Sequence, residues 1–113
     1  FVSELEACLT AADVPLFSLS VELGPGCFEA TMKHRNAMRA ADDATFFRMF
    51  TKAFCRQRNL TASFMALTGA AFPGIGGHIN LSLRDRKTGL IPLTKNLLDT
   101  IARDLKRSLP KLI

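Results

Sequence analysis

Two carboxylates and one imidazole are the side chains in this sequence best suited to chemistry. Glu22 and Glu29 stand on either side of Gly24-Pro25-Gly26 in VELGPGCFEATM, residues 21–32, and His78 opens the stretch HINLSLRD. Hard carboxylate oxygens with one imidazole suit a Mg²⁺ or Mn²⁺ site. They make such a site only if all three side chains leave the backbone on the same side, so the elements that carry them decide the matter.

The stretch LFSLSVEL alternates, with Phe17, Leu19 and Val21 on one face and Ser18, Ser20 and Glu22 on the other. After the Gly-Pro-Gly the alternation resumes, with Phe28, Ala30 and Met32 against Cys27, Glu29 and Thr31. Two such runs around a tight Gly/Pro turn predict a hairpin. LTASFMAL, residues 60–67, reads as a third strand. HINLSLRD reads as a fourth, with Ile79, Leu81 and Leu83 inward and His78, Asn80, Ser82 and Arg84 outward.

Three helices are expected around these strands. Ser3-Glu4-Leu5-Glu6 has capping-box spacing and opens a helix over 3–12, which Pro15 stops. Asp42 is the expected N-cap of a helix over 42–58. Its apolar side is Phe46, Phe47, Met49, Phe50, Ala53 and Phe54, and Arg48, Lys52 and Arg56 lie on its wet side. A last helix over 94–109 presents Leu97, Leu98, Ile101, Leu105 and Leu109, with Thr94 as cap.

The order α-β-β-α-β-β-α predicts an α+β fold, an antiparallel sheet with helices packed on one face and a polar face on the other. That polar face would display Glu22, Glu29 and His78 together. An antiparallel sheet often has one wet face without any site, and periodicity alone does not separate that outcome from a cation site.

Composition narrows the classes. With 113 residues and 48% hydrophobic content the chain is a single domain or a fragment of one, its core built without Trp or Tyr but with nine Phe. No stretch approaches the ~20 apolar residues of a membrane span, and FVSELEACL lacks the basic start of a signal peptide. Cys8, Cys27 and Cys55 are odd in number and widely spaced, which points to reduced thiols and a cytoplasmic setting. The net charge of +5 is spread along the chain without interleaved aromatics, so a solvated surface is expected and no nucleic-acid partner. PGIGGH is neither a Walker A motif nor GxGxxG. Ser18, Ser20 and Ser82 have no His/Asp constellation for a serine hydrolase. His34, in KHRNAMRA, reads as a solvated loop residue.

Three motifs in order carry a family resemblance. VELGPGCFEATM resembles the E-x-G-P-G-Q-x-E hairpin of glutamine synthetase and its relatives, which join amines to the γ-carboxylate of glutamate. RAADDATFFRMFTKAFCRQRNLTASFMA resembles that family's A-A-D helix and A-T-F-M strand, and GIGGHINLSLRD its G-S-G-x-H-x-H/N-x-S-L strand. The resemblance covers residues 1–91 as a catalytic-domain segment and leaves 92–113 as an amphipathic helical tail without a match.

The resemblance implies a reaction in two steps. ATP phosphorylates the γ-carboxylate of glutamate, and ammonia or an amine then displaces phosphate. It implies that Glu22 and Glu29 hold the Mg²⁺ or Mn²⁺ nearer the acceptor, and that His78 is a ligand of the second cation, beside the nucleotide phosphates. Gly76 and Gly77 would receive glutamate, Asn80 would lie near the phosphoryl group and Ser82 beside the nucleotide. A homo-oligomer is implied for the full-length protein, and no membrane partner. Cys27 stands where the family usually has Gln, Leu67-Thr68 where it has Lys-Pro, and Ile75 where it has Ser. Family members are several times longer, so the chain by itself is expected to lack a complete active site. A non-catalytic relative serving as a structural or interaction protein is the alternative, and a basic module for acidic partners a third reading.

Overall fold

The computed structural model describes residues 1–91 and 95–108, which fall into two units, residues 1–76 and 77–113. In the first unit the order is α1 (Val2–Ala11), β1 (Leu16–Val21), β2 (Phe28–Met32) and α2 (Ala37–Arg56). In the second unit lies α3 (Lys95–Ser108). The fold is α+β as expected, and among the described residues no helix is long and apolar enough to cross a membrane.

α1 and α2 end in the same way. At the end of α1 the Val14 N–H donates to the Leu9 carbonyl at 2.8 Å and the Asp13 N–H to that of Thr10 at 3.0 Å. At the end of α2 the Leu60 N–H donates to the Cys55 carbonyl at 3.0 Å and the Asn59 N–H to that of Arg56 at 3.2 Å. These pairs are Schellman closures, and the pivots Asp13 (φ 58°) and Asn59 (φ 57°) are residues that tolerate the left-handed region. α1 therefore stops at its own closure, two residues before Pro15.

The helix starts also differ from expectation. Phe1, with no side-chain cap, precedes α1 in place of a Ser3 capping box. α2 begins at Ala37, where the Asn36 side chain accepts the Arg39 N–H at 3.0 Å. Asp42 and Asp43 thus lie inside the helix. Asn36 takes the cap because its extended backbone (φ −61°, ψ 154°) aims its side chain at the first free N–H groups.

β1 and β2 pair antiparallel, with Ser18 opposite Thr31, Leu19 opposite Ala30, Ser20 opposite Glu29 and Val21 opposite Phe28. The register shifts between Leu16 and Ser18. The extra residue, Phe17, is left 76% exposed, while Leu16, Leu19 and Met32 face the core. That core is small: Leu5 and Leu9 of α1, Val14 and Phe54 are buried, with Phe47 and Phe50 packed beside them. Both helices thus cover one face of the hairpin. On α2 the buried stripe is Asp43, Thr51, Phe54 and Cys55. Phe46 and Met49, expected inside, are exposed, whereas Arg48, Lys52 and Arg56 lie outside as expected.

The expected third and fourth strands do not form. Residues 60–67 have no ladder partner, and Phe64 instead sets its ring edge-on to Phe47 of α2 at 5.8 Å. Residues 78–85 are irregular, and Ile79, Leu81 and Leu83 are all exposed rather than inward. Alternation is necessary for a half-buried strand, but it supplies no hydrogen-bonding neighbour. The segment ends in a tight turn in which Asp85 accepts N–H bonds from Lys87 (2.9 Å) and Thr88 (2.7 Å), and the Gly89 N–H donates to its carbonyl. The expected cap Thr94 and the residue Leu109 lie outside the described residues, as do the side chains of Leu97 and Leu98.

Four charges close the base of the hairpin. Arg35 grips Asp13 through two N–H donors at 2.7 and 3.2 Å, and Arg39 donates to the Asp13 carboxylate at 2.9 Å. Beneath them Asp43, with only 7% of its side chain exposed, faces Arg35 Nε at 3.3 Å and Arg39 Nε at 2.9 Å. The Arg39 Nε–H direction misses hydrogen-bond geometry, so that contact is coulombic. Asp43→Ala is expected to cost about 2 kcal/mol, the loss of charge-assisted contacts to two half-exposed guanidiniums, read as a lower urea midpoint at unchanged slope.

Hydrogen bonding to Arg35 holds the Asp13 carboxyl below its ordinary value. A depressed carboxyl contributes stability that is complete above about pH 4 and fades as pH falls through the depressed value. Asp13→Asn is expected to flatten that acid limb in a pH series of thermal midpoints.

Candidate functional site

Glu22 and Glu29 come together because the ladder continues past β1. The Glu22 N–H donates to the Cys27 carbonyl at 2.9 Å, which makes Glu22 and Cys27 a further cross-strand pair. Partners across an antiparallel ladder share a face, and so do residues two apart on one strand. Ser18, Ser20 and Glu22 therefore share a face with Thr31, Glu29 and Cys27, and Leu19 and Ala30 lie on the other, over the helices. The two carboxylates are diagonal neighbours, with roots separated by roughly 7–8 Å in such a placement. Both are exposed, and among the described residues neither pairs with Lys or Arg.

The turn between them is held at both ends. The Cys27 N–H donates to the Gly24 carbonyl at 3.2 Å, and one Glu22 oxygen accepts the Leu23 N–H at 3.0 Å. Gly24 has φ 117°, a conformation that side-chain-bearing residues rarely take. A Cβ built there would touch Pro73 at 3.6 Å, so the turn rests directly on the loop that leads to Gly76. That loop is pinned where the Ile75 N–H donates to the Ala66 carbonyl at 2.7 Å. Pro73 is the residue that sequence reasoning missed. Its position between two motifs was visible, but its contact with the turn was not.

The remaining candidates divide between the units. Gly76 ends the first. Gly77, His78, Asn80 and Ser82 belong to the second, where all four are exposed on the irregular segment. The structure thus brings Glu22 and Glu29 together within the first unit, and His78 belongs to the second. Among the described residues no group of three or more acidic, His or Cys side chains gathers as a metal cluster. Two hard carboxylates on one open face, with the Ser20 hydroxyl as neighbour, do fit the oxygen preference of Mg²⁺ or Mn²⁺.

The catalytic-domain family of glutamine synthetase matches residues 1–100 of the chain. A glutamate–isopropylamine ligase from a Pseudomonas species is 34% identical over 84 residues, 74% of this chain and 18% of the relative. Type-1 glutamine synthetase 2 of Dictyostelium discoideum is 38% identical over 76 residues, 67% of this chain and 15% of the relative. A glutamate–methylamine ligase of Methyloversatilis universalis is 28% identical over 90 residues, 80% of this chain and 20% of the relative. The chain therefore spans a fifth or less of the length of these relatives. No solved structure matches it.

Because Gly24 occupies a conformation that costs any other residue about 1–3 kcal/mol, Gly24→Ala is expected to lower stability by that amount. Thermal melts of the two forms measure it, and an unchanged midpoint would contradict the strained turn.

Proposed function

We propose, from the premise that this chain belongs to the glutamine synthetase catalytic-domain family, that its parent protein is an ATP-dependent ligase joining ammonia or an amine to the γ-carboxylate of glutamate. The observation that carries this reading is the pair Glu22 and Glu29 on one exposed face of a Gly-Pro-Gly hairpin. The relatives' names, two glutamate–alkylamine ligases and a glutamine synthetase, support glutamate as one substrate and either ammonia or a primary amine as acceptor.

The residues would act as follows. Glu22 and Glu29 would hold one Mg²⁺ or Mn²⁺ near the acceptor, and His78 would contribute to holding a second near the nucleotide. Bound there, divalent cations neutralise the crowded oxyanions of a phosphoryl transfer. Gly76 and Gly77 would offer backbone N–H groups without side-chain obstruction to the glutamate substrate. Asn80 would lie beside the transferring phosphoryl group and Ser82 beside the nucleotide. The γ-carboxylate attacks the terminal phosphorus of ATP to give γ-glutamyl phosphate and ADP. The amine then attacks the activated carbonyl, phosphate leaves, and a proton is lost from nitrogen.

Because the chain spans a fifth or less of its relatives, further ligands would come from segments outside it, in a homo-oligomer. The isolated chain is then inactive. The three free thiols support a cytoplasmic, reducing setting. The full-length protein is expected to consume ATP only when glutamate, an amine and Mg²⁺ are all present. Glu29→Ala should lower kcat about 100-fold or more while circular dichroism stays unchanged. Absence of turnover, together with absence of Mn²⁺ binding, would instead establish the non-catalytic alternative.

A further inference from the structure

The Gly-Pro-Gly turn and the loop before Gly76 meet at Gly24 and Pro73, and each is stiff on its own side of that contact. On the loop side, the Ile75 N–H donates to the Ala66 carbonyl at 2.7 Å and closes residues 66–75 into a compact loop. Inside it the Phe72 N–H donates to the Gly69 carbonyl at 3.0 Å, a second closure. Pro73 follows at once. Its ring fixes its own φ and restricts Phe72, so little freedom remains between the inner turn and Ile75.

On the hairpin side, Glu22 donates its N–H to the Cys27 carbonyl at 2.9 Å. One oxygen of its carboxylate accepts the Leu23 N–H at 3.0 Å, so the side chain is tied to the backbone just before Gly24. A Cβ built on Gly24 would meet Cγ and Cδ of Pro73, both at 3.6 Å, which puts the ring over the bare side of the glycine. A continuous path thus runs from the Glu22 carboxylate through Leu23, Gly24, Pro73 and Ile75 to Gly76. No charged side chain lines the junction of turn and loop, so the contact works by shape and salt does not screen it.

We infer that Pro73 is a positioning residue that couples the two ligand regions, holding the turn and the Glu22 carboxylate at a fixed place against the loop that carries Gly76. The inference rests on the ligase reading above, in which Glu22 holds a cation and Gly76 receives glutamate. With a cation held at Glu22, the turn and Pro73 are fixed and the loop meets glutamate already ordered. By linkage, glutamate at the loop tightens the cation by the same factor. Such coupling needs no contact between cation and glutamate.

Pro73 is exposed, so its replacement leaves the core of Leu5, Leu9, Val14 and Phe54 intact. The test titrates Mn²⁺ into the full-length protein by calorimetry, with and without saturating glutamate, and measures KM for glutamate alongside. Glutamate is expected to tighten Mn²⁺ about tenfold, and Pro73→Ala to reduce that factor to about two. The variant should raise KM for glutamate more than it lowers kcat, at an unchanged thermal midpoint. Hydrogen exchange at the Leu23 amide, slowed by glutamate in the parent protein, should no longer respond. Pro73→Val, which returns a branched side chain over Gly24, should recover most of the coupling. An active ligase in which glutamate does not tighten Mn²⁺, or in which Pro73→Ala leaves the factor unchanged, overturns this inference and leaves the ligase reading standing. So does a Pro73→Val variant as impaired as Pro73→Ala. Absence of both turnover and Mn²⁺ binding overturns the two together.

Discussion

The first unit depends on a set of opposed charges at the base of its hairpin. Asp13 precedes β1 by three residues and Arg35 follows β2 by three, so their bidentate contact joins the chain on its way into the hairpin to the chain on its way out. Asp43 lies under this contact with its carboxylate almost wholly out of water. A lone carboxylate in that position would carry a large desolvation cost, and two guanidiniums offset it. Because Arg39 and Asp43 are one helical turn apart on α2, the helix itself supplies half of the arrangement. The left-handed Asp13 is thereby both the end of α1 and the anchor of the strands.

From that base the hairpin projects beyond what its core can cover. Leu16, Leu19 and Met32 pack on Leu5, Leu9, Val14 and Phe54, but Val21 and Phe28, further along the same strands, are exposed. The end that carries Glu22 and Glu29 is therefore held by the backbone and not by burial. Ladder bonds run to Cys27, a glycine turn closes it, and Pro73 supports it from the adjoining loop. An oxygen-rich face held by main-chain hydrogen bonds keeps its carboxylates in place and leaves their outer surface open to a ligand. A further ion pair works away from this site: Arg58 contacts Glu4 and lies 3.6 Å over the Phe54 ring, joining the end of α2 to the start of α1.

Much of the local pattern was legible in the residues. The hairpin follows from two alternating runs around Gly-Pro-Gly, and the shared face of Glu22 and Glu29 follows from counting along them. The helices were visible from their apolar spacing, though not their ends. Asn36 outcompeted Asp42 as cap, and α1 closed on Asp13 rather than running up to Pro15, because caps depend on the backbone angles of a single residue. The bulge that turns Phe17 outward adds one residue to one strand, and strict alternation carries no trace of it.

The family and the facing of the two carboxylates were thus determined by sequence, since each depends on the type and period of neighbouring residues. Tertiary structure alone decided the rest. Residues 60–67 gave up a strand-like pattern to seat Phe64 on α2, and 78–85 stayed irregular, because a strand requires a partner's hydrogen bonds as well as its own alternation. It also decided that Asp13 would meet Arg35 and Arg39, and that Pro73 would lie against Gly24. Contacts between residues 22 to 49 positions apart depend on how the chain returns on itself, and no local period encodes that.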